Sequence, residues 1–397
     1  GSKTVTYTKA PAVYGDLEAL RSVTLTGHAR SIVDPGKIFV YNNLILVGEE
    51  GHGIHIIDNS DPGSPTPLSF INIPGNREYF VQDGFLYAES IYDMLKIDIH
   101  DISNPSIVKR LKNAFSDPLV NSDGDVVISF DLEEVTETLS LDDPIFEYES
   151  SDNIYYYDFT STLIPPSAVP ASFAGNSSSG IGSVNRIVAY DDYVYAVSRQ
   201  KMTVYASGGD FSQVFNEYKG WEMETVYPLG DRLFVGARSS VDIYDISDRS
   251  NPVYLSGYAH MTSCDPVLPV NEATAYVTLR TGDFSECPGD ENELLVIDIS
   301  ESNFTNEITS IGMSSPYGMT LIGDKLYVGE GENGLKVFDV SDRRSPVLLR
   351  EDSNTEAYDV LVHPQYSDIL LLANSKGLMQ VRVDVEQKLQ FVSNILF

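Results

Sequence analysis

One phrase returns along the whole chain. It runs apolar, any, apolar, apolar or aromatic, Asp, Ile or Val, Ser, Asp or Asn, and closes on Pro. It is written 54-IHIIDNSDPGSP-65, 95-LKIDIHDISNP-105, 241-VDIYDISDRSNP-252, 294-LLVIDISESN-303 and 335-LKVFDVSDRRSP-346. Self-similarity at such a spacing means that one supersecondary unit is built again and again, so it fixes the architecture before any single residue is interpreted.

The units share one plan. The clearest has a first strand (318-GMTLI-322), a Gly323-Asp324 turn and a second strand (326-LYVGE-330). A Gly-rich turn (331-GENG-334), a third strand (335-LKVFDV-340), a Ser-Asp-x-x-x-Pro corner and an outer strand (347-VLLRE-351) follow. Apolar residues alternate with period two, not 3.6. Four short strands per ~40 residues, separated by turn residues, describe one blade of a β-propeller. Pro suits the corner because it cannot donate to a sheet ladder and presets the turn.

The Asp that ends each third strand, or its equivalent, gives the series Asp58, Asp98, Asp158, Ala206, Asp245, Asp298, Asp339 and Arg382. The units span 37–72, 78–112, 117–173, 185–219, 224–258, 265–313, 317–351 and 358–397. The expected fold is therefore all-β, a single β-propeller of eight four-stranded antiparallel blades. Seven blades is the alternative if unit 3, interrupted by 131-DLEEVTETLSLDDPIFEYESSDN-153, is misread. Residues 28–397 form the propeller and 1–27 an N-terminal segment. Gly1-Ser2 reads as the remnant of a cleaved tag. The stretch 21-RSVTLTG-27 reads as a closing outer strand, expected beside 389-LQFVSNI-395 of unit 8 or in its place.

Bulk charge removes some function classes. The net charge of −32, from 58 acidic and 26 basic residues, argues against nucleic acid, whose affinity comes from neutralising phosphates. Solubility accounts for such a charge, and a cation or basic partner is the functional alternative. No run approaches the ~20 apolar residues of a membrane helix. A monomer with no cofactor is expected, Ca²⁺ being the one cation weighed.

Two cysteines, Cys264 and Cys287, fit no zinc spacing. A disulfide between them would close a loop worth ~3 kcal/mol and imply an oxidising compartment. Two buried thiols are the alternative.

Propeller sites gather at the mouth of the central channel. The residues leading into the first strands are Lys37, Glu78, Asp117, Asn185, Glu224, Asp265, Tyr317 and Tyr358, none of them aliphatic. If equivalent, they ring one mouth, and four acids crowded there would raise one another's pKa. Such a ring suits a cation, sugar or peptide. It is also what any wet channel mouth tolerates. Pairs drawn from Glu78, Asp117, Glu224 and Asp265 could serve a glycoside hydrolase or lyase, but the sequence selects no pair. For Ca²⁺, 121-NSDGD-125 and 281-TGDFSECPGDENE-293 cluster oxygen donors without the EF-hand spacing. No nucleophile elbow and no P-loop is present.

The recurring Leu-x-Val-Ile/Phe-Asp-Ile/Val-Ser phrase resembles the LVIVD-repeat family of bacterial β-propellers. The segment 263-SCDPVLPVNEATAYVTLRTGDFSECPGDENELLVIDIS-300 carries the resemblance most specifically, and 316-PYGMTLIGDKLYVGEGENGLKVFD-339 continues it. The likeness implies an exported, often lipid-anchored, cell-surface protein of Bacteroidetes-type bacteria, and implies no reaction. The expected function is a non-catalytic binding or scaffold protein that recognises a protein, peptide or glycan through one face. A carbohydrate-active enzyme is the alternative.

Overall fold

The computed structural model describes residues 1–147, 154–157, 163–164, 186–198, 201–219, 223–237, 240–259, 267–280, 292–301 and 304–397. The chain is all-β, with eight sheets in the order of the eight units. Seven of them, from units 1, 2 and 4 to 8, repeat one antiparallel meander of four strands. Their first strands are Pro35–Tyr41, Tyr79–Gln82, Ile187–Tyr190, Met223–Leu229, Val267–Asn271, Met319–Ile322 and Asp359–Val362. Each stands against the next in that order. Blade 8 packs on blade 1 through Leu361, Leu371 and Leu378 against Ile38, Val47 and Ile57. The buried amides of Asn59 and Gln380 bond each other reciprocally across that junction, at 3.0 and 2.8 Å.

The repeated phrase has a local physical cause. The Asp ending a third strand accepts from the backbone N–H two residues on, as Asp58 does from Ser60 (2.9 Å), Asp298 from Ser300 (2.8 Å) and Asp339 from Ser341 (2.9 Å). The next Asp repeats the turn: Asp61 accepts from Gly63, Asp248 from Ser250 and Asp342 from Arg344. Two consecutive Asx turns reverse the chain. A register shift follows between third and fourth strands, at Ile56/Ile57, Val296/Ile297 and Val337/Phe338 among others. Such a bulge twists the outer strand around its neighbour.

The tyrosines of the second strands tie blade to blade. Tyr195 donates to the Arg249 carbonyl of the next blade (2.8 Å), Tyr276 to that of Arg343 (2.9 Å) and Tyr327 to the Gln387 amide oxygen (2.6 Å). The apolar body of each ring packs while its hydroxyl finds a partner.

Unit 3 departs from the plan. Its strands Val126–Phe130 and Glu133–Ser140 both pair antiparallel with the N-terminal strand Ser2–Gly15, and Ile154–Tyr157 pairs with that strand in parallel. None of its described strands joins the succession of first strands: Tyr79–Gln82 of blade 2 stands directly against Ile187–Tyr190 of blade 4. Tyr87 and Met94 pack on Ile187 and Val194 there, and Lys96 Nζ donates to the Ser207 carbonyl at 2.5 Å. Eight sheets thus stand in the order of the eight units, while the described first strands that touch in succession are seven.

The strand expected to close unit 8 sits elsewhere. Thr26–His28 adds to Thr66–Asn72 at the outer edge of blade 1, and unit 8 keeps Leu389–Leu396 as its own outer strand. Leu25, buried among Ile54, Ile56 and Ile71, anchors it there.

Candidate functional site

The ring predicted at the channel mouth resolves into two registers. Second strands give the alignment: Ile38 pairs with Val47, Tyr79 with Ala88, Ile187 with Ala196, Val267 with Val277, Met319 with Val328 and Val360 with Leu372. Lys37 and Glu78 lie one residue before this level. Tyr317 and Tyr358 lie two before, as do Asn185 and Asp265 in sequence. One residue of slip turns a strand side chain to the opposite face, so these residues do not form one ring.

Of the remaining candidates, Asp117 is exposed at the start of unit 3, none of whose described strands joins the first strands. Glu224 lies in the first strand of blade 5. Asn185, Asp265, both cysteines and the loop 281–291 lie outside the described residues. The segment 121-NSDGD-125 is a turn in which Asn121 Oδ1 accepts from Asp123 N (3.0 Å) and Asp125 N (2.8 Å).

On blades 1 and 2 opposite charges interleave. Lys37 and Glu78 are both buried and form an ion pair. Tyr79 seals it from below, its hydroxyl donating to the Lys37 carbonyl at 2.7 Å. Burial pulls the Lys37 ammonium below its ordinary pKa, and Glu78 opposes that shift. Arg77 Nε stands 3.6 Å from Glu50 Oε2. Burial raises the Glu50 carboxyl, with Arg77 acting against it. Arg186 of blade 4 adds a third cation whose field reaches both Lys37 and Glu50. The expected crowding of acids is therefore answered by Lys37, Arg77 and Arg186. Glu78 is an ion-pair partner before it is anything else.

On blades 6 to 8 the mouth is aromatic. Tyr317 and Tyr358 meet edge to face, with centroids 5.0 Å apart and planes at 90°. The Arg280 guanidinium, at the end of a second strand in blade 6, lies 4.2 Å from the Tyr317 ring centre. Beneath the two rings, Gly331 has φ +56°, and a Cβ there would come within 2.7 Å of Tyr317 and 3.0 Å of Tyr358. Only glycine both takes that backbone angle and leaves room for the rings. Burial, together with Glu356 and Glu332, pushes the Tyr358 phenol up to about 12, so it is a neutral hydrogen-bonding group at pH 7. Both tyrosines are half-buried. The sequence singled out the tyrosines. It did not single out Arg280, which directly follows the second strand of blade 6, or Gly331.

Comparison with known proteins fits this construction. The LVIVD repeat family matches residues 27–70, 226–259, 287–310 and 318–351. These four stretches, about a third of the chain, are similar to LVIVD repeats. The LVIVD matches fall on blades 1, 5, 6 and 7, where the Asp-x-Ser corner is most regular. A search of curated proteins returned no match. Solved structures similar to this chain include Hsv2p of Kluyveromyces lactis, with 9% identity, TM-score 0.52, and coverage of 89% of this chain and 94% of that one. A chain of a mitotic checkpoint complex follows at 11% identity, TM-score 0.54, and coverage of 89% and 92%. The WD40 β-propeller domain of Doa1 has 7% identity, TM-score 0.50, and coverage of 88% and 93%. At these identities the likeness is one of fold, and the fold is a β-propeller.

Proposed function

We propose that this LVIVD-repeat propeller is a binding or scaffold module, exported to the cell surface, that engages a protein, peptide or glycan at the channel mouth. The observation that carries the reading is the Tyr317–Tyr358 pair, half-exposed on a glycine-backed turn and flanked by Arg280. Rigid aromatic faces give large contact area for little lost side-chain entropy, and they suit sugar rings and peptide side chains alike. The charged side of the mouth supports the same reading, because Lys37, Glu50, Arg77 and Glu78 hold one another and make a fixed polar rim.

A glycan array, probed with and without millimolar Ca²⁺ and followed by pull-down from envelope extracts, identifies the ligand class. Tyr358→Ala should weaken the selected ligand ~30-fold, the loss of about 2 kcal/mol expected of an aromatic anchor. Its melting midpoint should stay near that of the parent. Full affinity in both Tyr317→Ala and Tyr358→Ala would remove the mouth from the reading.

A further inference from the structure

The junction of blades 1 and 8 holds a second site, distinct from the tyrosine pair. After Thr26–His28 has joined the outer edge of blade 1, residues 29–34 return toward its first strand. Glu49 fastens this return, accepting from Val33 N at 3.2 Å and Asp34 N at 3.3 Å. The C-terminal strand of blade 8 faces it, with Phe397 N bonded to the Lys376 carbonyl at 3.1 Å. Between them lies a cavity of about 710 Å³, with Ile32, Ile57, Pro67, Ile395 and Phe397 among its walls. That volume falls within the ~300–1,000 Å³ of small-molecule sites.

One cation stands exposed at the rim of this open cavity, whose lining mixes apolar side chains with Arg30, Ser31, His55 and Ser69. Arg30 lines the cavity, its guanidinium 3.6 Å from the centre of the Phe70 ring. Among the described residues it makes no ion pair, in a chain where acids outnumber bases by more than two to one. Glu49, which holds the adjoining segment, is itself engaged: its Oε2 bonds His55 Nε2 at 2.8 Å, and its oxygens also take the two backbone N–H groups. His55, buried beside the same Phe70 ring, shares the cavity wall. Stacking holds the guanidinium plane and leaves its edge donors free for a planar acceptor, which a carboxylate matches with two parallel hydrogen bonds.

We propose that this cavity binds a small monocarboxylate with an apolar body, its carboxylate on Arg30 and its hydrocarbon against Ile32, Ile57, Ile395 and Phe397. The site shares no residue with the channel mouth, so it stands or falls apart from the function proposed above.

Titration calorimetry with octanoate, decanoate and decanol, each below its micelle concentration, tests it. Decanoate should bind saturably with one site per chain. It should bind about fourfold tighter for each methylene it has beyond octanoate, as burial of hydrocarbon requires. Decanol should bind at least tenfold more weakly. Arg30→Gln, on an exposed segment, should bring decanoate down to the level of decanol and leave decanol unchanged. Ile32→Trp, which fills the cavity, should weaken both ligands at least tenfold. No saturable decanoate binding by the parent protein, or undiminished decanoate affinity in Arg30→Gln with a parent-like melting midpoint, overturns the assignment.

Discussion

Asp93→Ala lowers the stability of the chain by about 3–5 kcal/mol, the loss expected when one buried charge of a hydrogen-bonded cluster is removed and the others remain. Asp93 is fully buried at the start of the third strand of blade 2. Its carboxylate takes Arg21 Nη2 at 2.6 Å and Nε at 2.8 Å, Arg110 Nη1 at 2.9 Å and the Asn113 N–H at 3.0 Å. Both arginine side chains are themselves nearly buried, so truncation takes Arg110 from the carboxylate it pairs with and leaves Arg21 with Glu18, at 2.7 Å. Arg21 ends the short helix Leu17–Arg21, capped by Asp16, and the cluster is what fastens that N-terminal segment to blade 2. Burial alone would raise the Asp93 carboxyl, but Arg21, the Asn113 N–H and Arg110 together hold it below the usual carboxylate range. A depressed folded pKa gives stability that is complete above the unfolded value, about 3.9. That stability is lost as pH falls through the folded value. Chemical denaturation of parent and Asp93→Ala at pH 7, and again across the acid limb below pH 4, measures both effects. The gap between the two proteins should be widest at neutral pH and narrow as the parent's carboxylate is protonated. A gap that stays constant across the acid limb would assign the cost to lost packing instead of lost charge.

The blades were legible because each one is written locally. The Asp-x-Ser-Asp corner builds its own pair of turns from contacts two residues apart, and the tyrosine of the LYV strand carries its own latch to the next blade. Unit 3 was not legible, because its pairing partner is Ser2–Gly15, more than a hundred residues away and carrying none of the repeat. Nothing in 126–140 records whether it will meet a neighbouring blade or a distant strand. The channel mouth was half legible. Aromatic residues at Tyr317 and Tyr358 followed from position in the unit. The neutralisation of Glu78 by Lys37 did not follow, since that pair depends on two first strands from different blades entering at one common register. Arg30 carried no sequence signal at all. Its meaning lies in the cavity it lines and the Phe70 ring it stacks on, which are properties of the folded junction.

Gly334→Ala is the second large loss, about 3 kcal/mol or more, from a backbone angle that alanine disfavours and an overlap it cannot avoid. Gly53, Gly334 and Gly377 occupy one position, just before or at the start of the third strand, with φ of 143°, 108° and 142°. At each, a Cβ would stand 2.1 Å from a carbonyl oxygen of the outer strand or its end: Ile71, Asp352 and Ile395. No flexible side-chain tip is involved, so the fourth strand itself would have to shift, against the bulged pairing that sets its twist. Gly323→Ala is the control. Its φ is +56°, with nothing within 4 Å of the added carbon, so it should cost only the ~1 kcal/mol of a left-handed alanine. Equilibrium unfolding of the two variants therefore compares a left-handed angle in open space with the wider φ and the overlap at Gly334. Equal losses would mean that the outer strand yields freely. A larger loss at Gly334 would mean that the fourth strand of a glycine blade is held at van der Waals distance by the absence of one carbon. Blade 2 shows the other solution to the same constraint: Asp93 stands where the glycine would be, without a positive φ, and the left-handed residue moves back to Ile91 at φ 59°. Lys201, Ser240 and Glu293 hold the same place in blades 4, 5 and 6, again without a positive φ, so the close approach belongs to the glycine blades 1, 7 and 8, and Gly334→Ala adds a carbon there without changing the turn before it.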